Sequence, residues 1–488
     1  MLMKSTSAIP NEVDVAIIGA GPSGATLAAL LAKYRPETQI AVFERAHFPR
    51  HHVGEGLIVD INRVLSDMGA VERLEAADFP KKHGTTFVWG QHRKPSTFLF
   101  KDGAALVDPP EGYQLEYTWH VDRPTYDLIL AECATACGAD IIFGANVTEI
   151  IEREGRVSGI QVTSETGETQ AVKAKWVVDC AGGRGPLTRR FGGRTVDREL
   201  RNIALFAYYR DMSWTDDLQG PPDLRRTLIM THPMGWVWVI PVGRNETSVG
   251  FVTRVDTYQA EKARSGPDFD PESLFFRVLR ELPEYDTLFA GAEPFDYREN
   301  GRIVHTVQEY SFACERLWGP GWASCGDSSG FVDAILSIGC YVAQAHAQFL
   351  AYALATVLDG GDEAIALESY ETSVQENLDA FRAVTHMFYA YNSSRSDWWR
   401  ECSSLLQAST LVPSGAERHA FLAFVNGFTA RNVLYEEAVN AFGRNFLLSL
   451  GQHLFPEEPL FDEDASYEEM QRLGESVTGD PVLTMRAG

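Results

Sequence analysis

The stretch VDVAIIGAGPSG, residues 13–24, decides the fold of this chain. It begins as an apolar run typical of a buried parallel strand and ends in a glycine-rich turn. The apolar segment Ala25–Lys33 then predicts a helix, and Gln39–Glu44 predicts a second strand. Strand, glycine turn, helix and strand within about 30 residues form the unit that binds the pyrophosphate of a dinucleotide.

Each glycine of this turn has a separate predicted task. Gly19 permits the tight turn, Gly21 lets the backbone approach a phosphate, and Gly24 lets the helix pack closely on the strand. The helix N-terminus offers free N–H groups and a partial positive charge to the phosphates. Glu44 ends the second strand, where its carboxylate can bind a ribose hydroxyl. A glycine-rich turn without a nucleotide is the alternative, and it is weakened because all these features occur together.

Two further acidic residues follow predicted strands. Asp179 ends the apolar run Lys175–Asp179, and Asp327 follows the predicted strand Trp322–Cys325. An acid after a strand and close to a helix N-terminus can bind ribityl hydroxyls or pyrophosphate. Three such turns that meet at one ligand favour an extended FAD molecule. Helix capping is the alternative role for each aspartate.

The composition is that of an ordinary globular protein. The 488 residues are 45% hydrophobic and 23% charged, which is enough to bury a large core in two or three lobes. The net charge of −24 argues against nucleic acid as the main partner. The seven cysteines show no metal-ligand or disulfide spacing, so we expect no metal site and a reducing, cytoplasmic environment. We expect no signal peptide and no membrane span, because no apolar run is long enough.

The order of the predicted elements indicates an α/β protein with three parts. These parts are a Rossmann-type FAD-binding domain, an antiparallel β-sheet substrate domain and a helical C-terminal region. Leu57–Ala76 predicts one helical stretch, and Gly339–Leu358 predicts a long apolar helix. The predicted boundaries are 1–82, 115–195 and 302–350 for the discontinuous FAD-binding domain, 83–114 and 196–301 for the substrate domain, and 351–488 for the helical substrate lid.

A second motif, Gly235–Pro241, has the sequence GWVWVIP. Alternate side chains of a strand share a face, so Trp236 and Trp238 point the same way. They are either the wall of a passage or part of a plain aromatic core. A lysine pair, Lys81 and Lys82, precedes another strand-like segment, and only one of the two can face a pocket. An exposed lysine is the ordinary alternative.

Together these motifs resemble the flavin-dependent halogenases, within the larger group of aromatic-hydroxylase-like flavoproteins. The glycine turn, Glu44-Arg45, Arg123 in VDRPTYD, VVDCAG and GDSSGF resemble the FAD-binding segments of flavin monooxygenases. WVWVIP matches the WxWxIP signature of halogenases. FPKKHGTTFVWG, residues 79–90, resembles the lysine segment of their phenol- and pyrrole-type branch. The resemblance covers residues 13–350, and the C-terminal part is only loosely similar.

The resemblance implies cofactors and a set of site residues. FAD, reduced by a separate flavin reductase, and O2 would oxidise chloride or bromide to hypohalous acid. The family spacing Lys-x-Gly-x-x-Phe selects Lys82 as the catalytic residue, which either polarises hypohalous acid or forms a haloamine. The other implied residues bind the cofactor (Gly19, Gly21, Gly24, Glu44, Arg45, Arg123, Asp179 and Asp327), wall the passage (Trp236, Trp238 and Pro241) or hold the halide (Ser337, Ile338 and Gly339).

For the halide, the resemblance points to the backbone amides of Ile338 and Gly339 at a helix start, where an anion is favoured. Ser337 could also act as a simple N-cap, and both roles can hold together. This loop departs from the family pattern, because Ala334 replaces the usual proline and Ile338 and Cys340 are unusual there.

Another departure concerns the substrate. Leu336 stands where tryptophan halogenases carry a glutamate, so no carboxylate base acts from this position and free tryptophan is disfavoured. We expect instead an electron-rich phenol or pyrrole, free or tethered to a carrier protein, in the biosynthesis of an antibiotic or another secondary metabolite.

Two other functional classes are open. A flavin monooxygenase or a geranylgeranyl-reductase-like oxidoreductase would share the fold without using halide. A non-catalytic flavin-binding protein would lack the lysine or the glycine turns, and both are present. No convincing second site for NADPH is visible, which agrees with a separate reductase. Candidates for a substrate lid, each with helix packing as its alternative role, are His386, Tyr389, Tyr391, Trp398 and Trp399.

Overall fold

The elements below belong to a computed structural model that describes residues 8–88, 93, 95–101 and 114–390. Within these residues the α-helices are α1 Pro22–Tyr34, α2 Ile61–Asp67, α3 Val71–Ala76, α4 Arg123–Ala136, α5 Pro186–Phe191, α6 Asp216–Gln219, α7 Val255–Ser265, α8 Pro271–Arg280, α9 Tyr285–Leu288, α10 Gly339–Leu358 and α11 Glu363–Ala390. The first ten strands are β1 Glu12–Ile18, β2 Ile40–Glu44, β3 Lys81–Lys82, β4 Gly84–Val88, β5 Pro95–Leu99, β6 Thr118–Trp119, β7 Asp140–Phe143, β8 Asn146–Arg153, β9 Arg156–Thr163 and β10 Thr169–Asp179. The remaining strands are β11 Arg194–Arg210, β12 Thr227–His232, β13 Gly235–Pro241, β14 Glu246–Arg254, β15 Glu293–Phe295, β16 His305–Cys314, β17 Trp318–Gly319, β18 Trp322–Ser324 and β19 Gly330–Phe331.

The glycine turn belongs to a mostly parallel sheet in which β1 is central. The parallel strands follow the order β18-β10-β1-β2-β7, and β17 extends one edge while β9 and β8 continue antiparallel from β10. Apolar residues of β1 are buried on both faces, since α1, α4 and α10 cover one side and β8 to β10 contribute to the other. The sequence prediction of a Rossmann-type α/β domain is confirmed.

A second sheet follows the order β19-β16-β11-β14-β13-β12-β4-β5, with β15 paired to β11. Its pairings are antiparallel except for β12 with β4, which confirms the predicted antiparallel substrate sheet. Two strands of this sheet extend beyond the predicted limits of the substrate domain. β16 lies beyond residue 301 yet pairs with β11, and β11 itself begins at Arg194.

The predicted helical stretch Leu57–Ala76 is divided in the structure. The structure has two short helices, α2 and α3, because Gly69 between them adopts a left-handed φ of +74° that ends the first helix. At the C-terminal end, α11 packs on α10. Tyr391, Trp398 and Trp399, predicted for the lid, lie outside the described residues. None of the described helices is both long and apolar enough to cross a membrane.

Candidate active site

The glycine turn after β1 leaves no room for side chains at two positions. Gly19 has a φ of +98°, and a Cβ there would lie 2.7 Å from the Cys180 carbonyl oxygen. A Cβ on Gly24 would lie 1.9 Å from the Gly19 carbonyl oxygen, so α1 could not pack as it does. The Glu44 carboxylate closes the turn by accepting the Ala20 N–H at 2.9 Å. The turn therefore brings bare backbone and the start of α1 to one side of β1.

A cavity of about 590 Å³ begins at this turn and reaches the second sheet. Six of the eight predicted cofactor residues line it, namely Gly19, Gly21, Glu44, Arg45, Arg123 and Asp327. Gly24 lies behind the wall, as its predicted packing role requires. The combination of bare glycine backbone, a helix N-terminus and buried acidic acceptors fits an FAD molecule.

Arg123 and Asp327 are two charged groups that line this cavity. The Arg123 guanidinium forms an ion pair with Asp127, with Nε 2.8 Å from Oδ1, and donates to the Val53 carbonyl oxygen at 2.7 Å. Burial raises the pKa of Asp327 to about 6, although the Arg123 charge opposes the shift. The Asp327 carboxylate is therefore mostly ionised at neutral pH, as an acceptor for ligand hydroxyls should be.

Asp179 does not take the cofactor-binding position predicted for it. Its carboxylate is fully buried and accepts the backbone N–H groups of Ala181 at 3.1 Å and Leu187 at 2.8 Å, as well as the Ser328 hydroxyl at 3.0 Å. The neighbouring residues Ala181 and Gly182 line the cavity instead. Asp179 thus holds the turn after β10 in shape, which is the structural alternative to ligand binding.

Trp236 and Trp238 both line the cavity, and their ring centroids lie 6.0 Å apart. The Trp236 indole N–H donates to the Tyr389 hydroxyl at 2.7 Å, and that hydroxyl donates to the Asp333 carboxylate at 2.9 Å. The Trp238 indole N–H donates to the Ser248 hydroxyl at 3.1 Å. Because both indoles are fixed by hydrogen bonds as well as packing, they form a rigid wall at the second sheet.

Pro241, the predicted third wall residue, is not among the residues that line this cavity. Side chains alternate along β13, so Ile240 shares the cavity face with the two tryptophans. Pro241 shares the opposite face with Val237 and Val239, which pack toward α8. The same alternation rule that placed the tryptophans selects Ile240 over Pro241.

The two lysines of β3 face opposite ways. Lys81 lies at the surface, where its ammonium is 3.9 Å from the Tyr117 ring centroid and 3.4 Å from a Glu75 carboxylate oxygen. Lys82 is 1% exposed, and no carboxylate among the described residues forms an ion pair with it. Burial lowers the pKa of Lys82 to about 7. Of the two lysines, Lys82 is therefore the one on the buried side of the strand, where its pKa is lowered.

Gly56 lies beside the Lys82 amine and the predicted halide loop. It lines the cavity, and a Cβ added to it would lie 3.5 Å from Lys82 Nζ and 3.1 Å from Ser337 Oγ. Lys82 itself is not among the cavity-lining residues. The Lys82 amine and the predicted halide loop therefore face the same side of Gly56, the side that a Cβ would occupy.

The predicted halide loop precedes α10. Ser337 has a left-handed φ of +56°, and both Ser337 and Gly339 line the cavity. Ile338 takes the N-cap position with its side chain buried, and no side chain caps this helix, so Ser337 is not the N-cap. A Cβ on Gly339 would meet no atom within 4 Å, which shows open space beside this residue. The loop has the strained backbone typical of ligand sites.

Sequence reasoning missed two buried polar residues at this end of the cavity. His120 follows β6, whose Thr118 pairs with Lys82, and its Nε2 lies 2.9 Å from the hydroxyl oxygen of the cavity residue Thr227. Burial and the Lys82 charge hold the pKa of His120 well below its ordinary value. The second residue is Glu55, a buried carboxyl group that lines the cavity. Neither residue belongs to a periodic pattern, so only the folded neighbourhood reveals them.

The fold and the cavity define a flavoprotein oxidoreductase: a Rossmann-type cofactor site joined to a β-sheet wall with a buried amine behind it. The profile of the tryptophan halogenase family matches residues 14–111 and 106–414, most of the chain. The chain therefore belongs to this family of flavin-dependent halogenases, whose enzymes use FAD, halide and O2.

Individual relatives agree with this assignment. The chain is 27% identical over 398 residues to a tryptophan 2-halogenase of Chondromyces crocatus, covering 80% of this chain and 70% of the relative. It is 28% identical over 397 residues to a 1H-pyrrole-2-carbonyl-[peptidyl-carrier protein] chlorinase of Pseudomonas fluorescens, covering 78% and 84%. The myxobacterial chondrochloren halogenase CndH shares the fold, with a TM-score of 0.71, 24% identity and coverage of 96% and 97%.

Proposed function

We propose that this enzyme halogenates an activated aromatic precursor of a natural product, a phenol or a pyrrole, with hypohalous acid. The transfer exchanges an aromatic hydrogen for halogen: ArH + HOX gives ArX and water. The observation that carries this proposal is the buried amine of Lys82, which has no ion-pair partner among the described residues. It lies beside Gly56, a lining residue of the cavity walled by Trp236 and Trp238.

Lys82 suits this chemistry because of its surroundings. Since its pKa lies near 7, roughly half of the molecules carry an uncharged amine at neutral pH. The amine can form a haloamine, and the ammonium can hydrogen-bond and polarise hypohalous acid. The tryptophan wall keeps an aromatic substrate away from the cofactor, so that the oxidant rather than the substrate crosses between the two sites.

The proposed substrate class rests on one sequence difference from tryptophan halogenases and on the similarity to one related enzyme. Leu336 is buried and apolar where a tryptophan halogenase would place a glutamate, so the substrate ring must be reactive without help from that position. The similarity to a pyrrolyl carrier-protein chlorinase supports a carrier-tethered pyrrole as one form of the substrate. The similarity to a tryptophan 2-halogenase is the competing indication, which makes tryptophan a necessary member of any substrate panel.

The remaining parts of the proposal concern the source of the reduced cofactor and the cellular compartment. We propose that a separate flavin reductase delivers the reduced cofactor and that the enzyme works in the cytoplasm. The free thiols of the described cysteines are compatible with a reducing compartment.

The direct test is a product assay with purified enzyme, FAD, a flavin reductase, O2 and either chloride or bromide. The panel contains simple phenols, a carrier-bound pyrrole and free tryptophan. We expect a phenol or the carrier-bound pyrrole to gain the mass of one halogen in place of one hydrogen, and only when halide is present. A hydroxylated product formed without halide would contradict the proposal and favour a flavin monooxygenase.

A further inference from the structure

Glu55 is a carboxyl group with no charged partner inside the cofactor cavity. It is 2% exposed, and no cation of the described chain lies within ion-pair distance of it. Its Oε1 accepts the Tyr208 hydroxyl at 2.6 Å, and its Oε2 accepts the Ser248 hydroxyl at 3.3 Å. Burial raises the pKa of Glu55, although the Tyr208 hydrogen bond and the Arg123 charge oppose the shift. The protonated acid is therefore favoured at a higher pH than in an ordinary glutamate.

The position of Glu55 joins three parts of the site. The two residues that flank Glu55 in the chain contact this loop. The Gly54 carbonyl oxygen accepts a hydrogen bond from the Cys340 thiol at 3.6 Å, and Gly56 faces the Ser337 hydroxyl. The segment around Glu55 therefore packs against the predicted halide loop. On the other side, Ser248 links Glu55 to the wall, since Ser248 also accepts the Trp238 indole N–H.

Halide oxidation needs a proton at this place. The overall step is X⁻ + O2 + FADH2 + H⁺ giving HOX, FAD and water. The O–O bond breaks, an X–O bond forms, the halide loses two electrons, and the second oxygen atom leaves as water. One proton must come from outside the reduced cofactor. A neutral carboxylic acid can give it without repelling the incoming anion, as a carboxylate would.

We propose that Glu55 is a further catalytic residue, the acid that gives this proton to the departing oxygen atom. The inference rests on the proposed halide oxidation. The other buried acids of the cavity are less suited. Asp333 already accepts from Asn202, Tyr389 and the Ile335 backbone, and Asp327 lies on the 3₁₀ turn at the cofactor end. Tyr208 and Ser248 hold the Glu55 side chain in one orientation.

Other titratable groups face Glu55 and influence its titration. Tyr208 stacks on Tyr297 with ring centroids 3.9 Å apart. Burial, together with the nearby Glu55 carboxyl group, raises the pKa of both phenols out of the physiological range. Burial also raises the pKa of the Cys340 thiol, to about 11. Arg123 keeps its charge throughout. Within this group, Glu55 is therefore the carboxyl group whose protonated form is favoured by burial.

The test combines Glu55→Gln with two readouts. Gln keeps the size and can still accept from Tyr208, but it carries no acidic proton. In the FAD-loaded protein, difference infrared spectra should show a protonated carboxyl band that disappears in Glu55→Gln and titrates above the ordinary glutamate range. Hypohalous acid formation, measured with a chemical trap, should fall about 100-fold or more, while FAD affinity and flavin reoxidation stay as in the wild type.

Two further variants keep the inference falsifiable if Glu55→Gln does not fold. Tyr208→Phe removes a donor that favours the carboxylate, so the pH at which halide oxidation is lost should move upward. Asp333→Asn is the matched control, a buried acid of the same cavity, and should leave that pH in place. Halide oxidation by Glu55→Gln at the wild-type rate, or an unmoved pH midpoint in Tyr208→Phe, would overturn the assignment. Failure of the wild type to oxidise halide at any pH would instead overturn the proposed function.

Discussion

At the scale of single residues, the protonation of Lys82 decides between two routes for the halogen. Burial alone lowers its pKa to about 7, and the uncharged amine is the form that can become a haloamine. We therefore expect the transfer of halogen from added hypohalous acid to substrate to rise as the pH increases through about 7. Single-turnover transfer measured without flavin checks this expectation. A rate that falls over the same range would indicate that the ammonium form polarises the oxidant.

Gly339 offers a second residue-scale prediction. A methyl group there would enter open space beside the predicted halide loop, because no atom lies within 4 Å of the Cβ position. Gly339→Ala should keep the free energy of unfolding and raise the halide concentration needed for half-maximal activity several-fold. An unchanged halide requirement would count against the predicted position of the halide.

At the scale of elements, the turn between β1 and α1 leaves no room for an added side chain at Gly24. The Cβ of Gly24→Ala would meet the Gly19 carbonyl oxygen at 1.9 Å, and this neighbour is backbone, which cannot rotate away. We expect a loss of about 1–3 kcal/mol in the free energy of unfolding, together with weaker FAD binding. Chemical denaturation and FAD titration measure both. Retention of wild-type stability would show that α1 can shift without cost.

The helix α11 is held to β11 by a pair that depends on pH. His386 Nε2 lies 2.6 Å from an Asp197 carboxylate oxygen, and this hydrogen bond raises the pKa of His386. A raised pKa in the folded state means that the stabilisation is complete below the unfolded pKa and is lost as the pH rises through the folded value. The loss of stability caused by His386→Gln should therefore be larger at about pH 6 than at about pH 9. Equal melting-temperature losses at both pH values would exclude a charged pair.

At the scale of the whole molecule, the sequence was sufficient for the parts that repeat known patterns. The glycine turn and the two sheets follow from local periodicity and spacing, whereas the choice of Lys82 over Lys81 follows from the family spacing Lys-x-Gly-x-x-Phe. The position of Asp179 after a strand fits both a cofactor ligand and an acid that holds its own turn, and only the folded contacts separate the two roles. Glu55 and His120 could not be found, because their partners Tyr208, Ser248 and Thr227 are distant in the sequence.

The account depends most on the separation of two reactions, oxidant formation at the cofactor and halogen transfer at Lys82. Lys82→Met keeps most of the buried volume and removes the amine, and Lys81→Met is its surface control. With FADH2, O2 and halide, we expect both variants to form trapped hypohalous acid at the wild-type rate. Only Lys82→Met should lose enzymatic halogenation of the substrate. Halogenated product from Lys82→Met with wild-type rate and regiochemistry would contradict the account.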